Sequence, residues 1–84
     1  MIVLSANMDR DSAENRHWNL VDKTIRKHLP SEIMQTLWRE NGYEGLFPIV
    51  PEYFGMSKMY RNEKSYVTYE FTEQQWTVFL LRWS

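Results

Sequence analysis

The amino-acid sequence predicts an α+β domain in which a small antiparallel sheet of three or four strands carries two helices packed on one face. Two segments before residue 42 repeat apolar side chains at helical spacing, and residues 66–71 alternate apolar and polar side chains. The 84 residues fit a single domain, 1–84, whose core is supplied by 4 Trp, 5 Tyr and 4 Phe.

The chain begins with a short predicted strand at residues 2–4, because Ile, Val and Leu favour extended backbone before a polar loop. A helix is expected over residues 12–29. Asp11 is the expected N-cap, with Ser12 as the alternative, since either side chain can accept a hydrogen bond from an amide of the first turn. The expected buried stripe comprises Trp18, Val21, Ile25, His28 and Leu29.

A second, shorter helix is predicted to begin at Ser31 as its cap and to end at Asn41-Gly42. Glycine favours this end because it adopts a left-handed conformation without strain from a Cβ atom. The apolar face of this helix follows an i, i+1, i+4, i+5 pattern. It consists of Ile33, Met34, Leu37 and Trp38.

Residues 43–55 are predicted to be irregular, because they contain two prolines and two glycines. The same segment carries seven large apolar or aromatic side chains, which a solvated loop does not need. Two interpretations stay open at this point. The segment either covers the core as a lid or displays a patch for a partner.

The second half of the chain contains the clearest strand, residues 66–71, with Val67, Tyr69 and Phe71 on one face. Residues 56–61 are its expected hairpin partner across a turn at 62–64. The last segment, 76–83, fits either a central strand or a helix that starts at a Thr72/Gln75 capping box. Its Val, Phe and Trp content favours the strand.

Composition excludes several classes of protein. The absence of cysteine removes disulfides, thiolate metal sites and cysteine nucleophiles, and favours a cytoplasmic protein. No apolar run approaches the length of a secretion signal or a membrane span, so no membrane association is expected. The net charge of −1 provides no overall field to attract nucleic acid or anionic lipid.

No catalytic, metal or cofactor site is expected, so an enzyme is the least favoured function. Asp9, Asp11 and Glu14 lack the spacing of a calcium-binding loop and are explained by helix capping. His17 and His28 lie about 16 Å apart along one helix, too far to share a metal ion. Neither histidine stands in a recognisable catalytic motif.

A basic segment at residues 56–64 makes nucleic-acid binding the alternative function. Its cations and interleaved tyrosine resemble contacts that proteins make to single-stranded nucleic acid, and the 12–29 helix adds two lysines. Such binding is expected to be weak, because few cations converge. The candidate residues are Lys23, Lys27, Lys58, Tyr60, Arg61 and Lys64.

A protein-binding module is the leading prediction, because the chain encodes more apolar surface than so small a globule is expected to bury. An edge strand in a small sheet also favours a homodimer formed by sheet extension. The expected partner-binding residues are Tyr43, Leu46, Phe47, Tyr53, Phe54, Arg82 and Trp83.

The C-terminal residues carry one resemblance. The ending Val78-Phe79-Leu80-Leu81-Arg82-Trp83, after Tyr69-Glu70-Phe71, resembles the C-terminus of small accessory proteins encoded by tailed bacteriophages. Several classes of such proteins bind and block a host enzyme or a defence complex. The resemblance therefore implies an inhibitor or adaptor acting in the host cytoplasm, and it assigns a role to no residue.

Overall fold

A computed structural model describes residues 1–7 and 11–83 of the chain, apart from the side chain of Tyr43. It confirms the α+β class, with a three-stranded antiparallel sheet. In chain order the elements are β1 (Ile2–Ser5), α1 (Ala13–His28), α2 (Ser31–Asn41), a 3₁₀ helix (Gly42–Leu46), α3 (Val50–Phe54), β2 (Lys58–Arg61), β3 (Val67–Phe71) and α4 (Glu73–Trp83).

The strand order is β1-β3-β2, so the strand with the clearest alternation lies at the centre of the sheet. Leu4 and Met59 flank Tyr69 from either side, and all three side chains are buried on what we call the inner face. The outer face carries the alternate residues. They are Val3, Ser5, Lys58, Tyr60, Thr68 and Glu70.

Helices α1 and α4 pack on the inner face. The Trp18 indole Nε1 of α1 donates to the Val67 carbonyl oxygen at 3.1 Å, which ties the helix to β3. From α4, Trp76 and Phe79 lie against Phe71, with ring centroids 5.0 and 5.3 Å away. The first and second helices were predicted to cover the sheet. The first does so, but α4 takes the place predicted for the second.

The C-terminal segment is a helix, so the preference for a strand was wrong. Thr72 and Gln75 form the capping box, in which the Thr72 Oγ1 accepts from the Gln75 amide at 3.0 Å and the Gln75 Oε1 accepts from the Thr72 amide at 2.8 Å. Burial follows a helical period. Trp76 and Phe79 are buried, whereas Leu81 is 82 % exposed.

The N-cap of the first helix lies one residue later than the preferred Asp11, so the helix begins at Ala13. Ser12, the alternative, is the N-cap, and its hydroxyl accepts from the Asn15 amide at 3.0 Å. Asp11 precedes the cap. His28, expected in the buried stripe, is exposed, because the inward side of the last turn is occupied by Leu29, which is 3 % exposed.

The second helix ends at Asn41, as predicted. Gly42 follows it with a φ of +67° and a ψ of −156°, which is a positive-φ conformation open to glycine but not the left-handed helical one expected. Its expected cap, Ser31, is instead the first helical residue after Pro30. No described residue of α2 is fully buried, because the helix packs chiefly on the 3₁₀ helix that follows it. A Cβ on Gly45 would approach the Leu37 carbonyl oxygen at 2.7 Å, so glycine permits this close contact.

Residues 43–55 are mostly helical, so the prediction of an irregular loop was wrong. The 3₁₀ helix ends at Leu46, and α3 takes Pro51 into its first turn, where the missing amide costs no hydrogen bond. Gly55, with a φ of +74°, ends α3. In the described part of the chain, none of the helices has the length and apolar character to cross a bilayer.

Candidate protein-binding surface

The structure answers the question of whether residues 43–55 form a lid or a patch largely in favour of a lid. Leu46 and Phe54 are 2 % and 3 % exposed and belong to the core. Both were expected to contact a partner, but neither side chain is accessible in the folded chain. Phe47 is half-buried against the core, and Tyr53 is 43 % exposed. The side chain of Tyr43 lies outside the described residues.

The other two expected contact residues lie at the end of α4. The half-buried Trp83 ring packs against Phe54, with centroids 5.0 Å apart, and against His28 at 4.9 Å. The exposed Arg82 guanidinium lies 5.2 Å from the Trp83 ring centroid. Trp83 therefore closes the core beside α3. Among the described residues that were expected to contact a partner, Arg82 and Tyr53 are the two that are well exposed.

Exposed apolar surface is nevertheless present, and apart from Tyr53 it lies on residues other than those predicted to contact a partner. On α2, Trp38 is 54 % exposed and Ile33 is 39 % exposed. On α4, Val78 and Leu81 are 52 % and 82 % exposed. Among the described side chains, the other large apolar ones with substantial exposure are Met1, Val3, Tyr53 and Tyr66.

The exposed tryptophan lines two adjoining hollows, one on the surface of α2 and a smaller one between α1 and α2, which together we call the α1–α2 groove. A surface cavity of about 360 Å³ is lined by Met34, Gln35, Trp38 and Arg39. A second, smaller recess shares Met34 and Trp38 with it, so both open onto the same two side chains. The recess reaches down to Ile25 and Leu46 of the core, between Asp22 and Arg26 of α1.

The groove has an apolar floor and a charged rim. Arg26 Nε donates to Asp22 Oδ2 at 3.0 Å across one helical turn, and this pair forms the α1 rim. Arg39, which is exposed, forms the α2 rim. Two arginines and one aspartate leave the rim with a formal charge of +1, which favours an approaching carboxylate.

The side chains that line this groove are of the kinds that protein interfaces favour. Tryptophan, methionine and arginine are enriched at the energetically important centres of protein interfaces, and all three line the groove. From the sequence, Trp38 was placed on the apolar face of its helix and was not included among the expected partner contacts. A tryptophan on a short helix followed by Asn-Gly was the available signal, but nothing in the sequence indicated that the helix would pack on its C-terminal neighbour.

The six residues of the nucleic-acid alternative do not converge on one surface. Lys58 and Tyr60 share the outer face of the sheet, where the Lys58 ammonium lies 4.6 Å from the Tyr60 ring centroid. Arg61 alternates to the other side and pairs with Glu44 of the 3₁₀ helix. Lys64 is exposed in the β2–β3 turn, whereas Lys23 and Lys27 are exposed on α1, which covers the inner face.

Two ionisable groups near this basic segment have shifted pKa values. The hydrogen bond from Arg61 lowers the pKa of the Glu44 carboxyl below its ordinary value. On the outer face, the Tyr60 hydroxyl donates to the Glu70 carboxylate, which raises the pKa of Tyr60. A carboxylate beside Tyr60 disfavours a phosphate at the same position.

The two histidines serve as packing partners for tryptophan rings. The His17 and Trp76 centroids lie 5.1 Å apart, and those of His28 and Trp83 lie 4.9 Å apart, so both histidines join α1 to α4. Within residues 1–7 and 11–83, no group of three or more His, Asp or Glu side chains is arranged to hold a metal ion. Asp9, part of the acidic cluster considered above, lies outside the described residues.

No protein-family model, curated protein or solved structure matches the chain. The resemblance to phage accessory proteins therefore stays an expectation from the C-terminal residues, and the function has to be argued from the surface itself.

Proposed function

We propose that this chain is a protein-binding module, acting as an inhibitor or adaptor, and that it binds its partner through the α1–α2 groove. The observation that supports this most is the 54 % exposure of Trp38 at the centre of a groove that reaches core side chains. A buried aromatic removes roughly 150–250 Å² from water. A partner that covers the exposed half of the Trp38 side chain therefore removes roughly 100 Å² of its surface from water.

That area corresponds to about 2.5 kcal/mol, at about 25 cal/mol per Å² of apolar surface. A contribution of this size is typical of the few residues that dominate the affinity of an interface. The partner segment that fits carries one large apolar side chain, which covers Trp38 and Met34. A carboxylate beside that side chain would pair with Arg39 across the rim.

The test begins with affinity capture from host lysate and ends with one purified partner. We expect Trp38→Ala to weaken binding of the purified partner about 30- to 100-fold in isothermal titration calorimetry, in line with the area above. Arg39→Glu should also weaken binding of the partner, if the partner places a carboxylate beside Arg39. Circular dichroism would show that both variants keep the fold.

The matched control is Leu81→Ala, which removes a more exposed apolar side chain from α4. We expect the same affinity as for the unchanged protein. Equal affinity of the Trp38→Ala variant, or a loss confined to Leu81→Ala, would contradict the proposed surface.

Nucleic-acid binding is the second candidate, supported by the pairing of Lys58 with the Tyr60 ring on the outer face of the sheet. The observations favour it less, because the other cations lie elsewhere. A gel shift with single-stranded oligonucleotides at low salt that is abolished by Lys58→Glu and retained by Trp38→Ala would favour this function over the protein-binding proposal.

A further inference from the structure

The two edges of the sheet differ in charge. The β2 edge carries Lys58 at its first position and Arg61 at its last, and charged side chains are a common means of preventing edge strands from pairing with other chains. The β1 edge, Ile2–Ser5, carries no charged side chain. Of the two edges, only β1 therefore lacks this protection.

The backbone of β1 is oriented to accept another strand. The Ala6 amide donates to the Val67 carbonyl oxygen at 3.1 Å, and the same register pairs Leu4 with Tyr69 and Ile2 with Phe71. In an antiparallel ladder the residues that bond to one neighbour alternate with those that point away from it. The amide and carbonyl of Val3 therefore point away from β3, toward the open edge.

Two apolar side chains at this edge are accessible to water. Val3, on the outer face, is 41 % exposed, and Met1, which precedes the strand, is 71 % exposed. A groove of about 490 Å³ runs along the strand. It is lined by Met1, Ile2, Val3, Leu4, Glu14, His17 and Trp76.

We propose that β1 pairs antiparallel with β1 of a second copy of this chain, about a two-fold axis at Val3, and so joins two three-stranded sheets into one. In that arrangement each Val3 amide donates to the Val3 carbonyl oxygen of the other copy. Ile2 lies opposite Leu4 of the second copy, and Met1 lies opposite its Ser5. This surface is distinct from the α1–α2 groove, so the inference is independent of the proposed function.

A second copy fits better than an unrelated strand, because β1 is self-complementary about Val3. Apolar Ile2 and Leu4 flank Val3 symmetrically, and a two-fold axis exchanges one for the other. No like charges of the strand side chains are brought together. The Val3 and Met1 side chains of the two copies would cover one another, and each is now exposed to water.

The contact is short, so the dimer is expected to be weak. A pair of strands of this length buries far less than the roughly 1,200 Å² at the lower end of stable interfaces. Dissociation constants of about 10–100 µM are therefore expected, and dimerisation should be visible only at high protein concentration. The experiment uses untagged protein, because a tag at Met1 would lie beside the proposed interface.

The test is sedimentation equilibrium of the untagged protein over about 5–500 µM, a range that brackets the expected constants. We expect the mass to rise from 10.3 kDa toward twice that value. Val3→Lys puts two like charges side by side across the two-fold axis. This variant should stay monomeric at every concentration measured, which corresponds to a dissociation constant raised at least tenfold. The matched control is Val78→Lys, at a similarly exposed position on α4, which should dimerise like the unchanged chain.

A second variant keeps the test informative if Val3→Lys is poorly folded. Val3→Pro removes only the outward-pointing amide and leaves the hydrogen bonds to β3 in place, so it too should be monomeric. An unchanged chain that stays at 10.3 kDa throughout would overturn the proposal. So would a Val3→Lys dimer of unchanged strength, or a dimer that is lost on Trp38→Ala instead.

Discussion

The C-terminal helix makes the sharpest test of the fold, because a strand and a helix at residues 76–83 bury different side chains. In α4, Phe79 is 1 % exposed and Leu81 is 82 % exposed. A central strand, covered on both faces, would bury both. We therefore expect Phe79→Ala to be strongly destabilising and Leu81→Ala to be nearly neutral.

The magnitude follows from the surroundings of Phe79. Its ring lies 5.3 Å from that of Phe71 and 5.6 Å from that of Trp76, so truncation leaves a cavity between two aromatic side chains. Replacing a buried phenylalanine by alanine costs about 3–5 kcal/mol. Domains of this size have a free energy of unfolding of roughly 4–13 kcal/mol, at about 0.05–0.15 kcal/mol per residue. The loss is thus a large fraction of the total.

Urea denaturation followed by tryptophan fluorescence would measure both variants. With a denaturant slope of about 1 kcal/mol per molar, Phe79→Ala should lower the midpoint by about 3–5 M, and Leu81→Ala by less than about 0.5 M. If Phe79→Ala does not fold, Phe79→Leu should still cost about 1 kcal/mol. Comparable losses at positions 79 and 81 would refute the helix.

Two further outcomes follow from local contacts. Ser12→Ala should lower the free energy of unfolding by about 1 kcal/mol in thermal or urea unfolding, because it removes the acceptor of the Asn15 amide. Asp11→Ala should lower it by only about a few tenths of a kcal/mol. A larger loss at Asp11 than at Ser12 would show that Ser12 is not the cap. The hydrogen bond from Arg61 lowers the pKa of Glu44 in the folded chain below its ordinary value of 4.5. The contribution of this hydrogen bond to the free energy of unfolding is therefore complete above pH 4.5 and is lost as the pH falls through the lower pKa of the folded chain. Arg61→Gln should return the pKa of Glu44 to its ordinary range in a carbon-detected NMR titration, and an unchanged titration would show that the pair does not persist in solution.

The sequence by itself predicted the fold class, the end of α2 and the pairing of β2 with β3. Each of these depends on a local signal. The alternation at residues 66–71 places Tyr69 and Phe71 on one face whatever packs against them, and the Asn41-Gly42 pair ends a helix through the conformational freedom of glycine.

Only the tertiary structure decided between helix and strand at residues 76–83. Nearly every side chain there is apolar, so a period of two and a period of 3.6 fit the pattern equally well. Packing of Trp76 and Phe79 on Phe71 selects the helix and leaves Val78 and Leu81 in water.

The candidate site was likewise decided by packing. Leu46 and Phe54 looked like partner contacts because their segment contains prolines and glycines, yet the segment folds into two short helices that carry both side chains into the core. Trp38 was placed only on the apolar face of α2. Because α2 packs on the 3₁₀ helix through Gly45, the indole is left beside a groove. A sequence pattern determines which side of a helix is apolar, but how much of that side is covered depends on neighbours that the pattern does not contain.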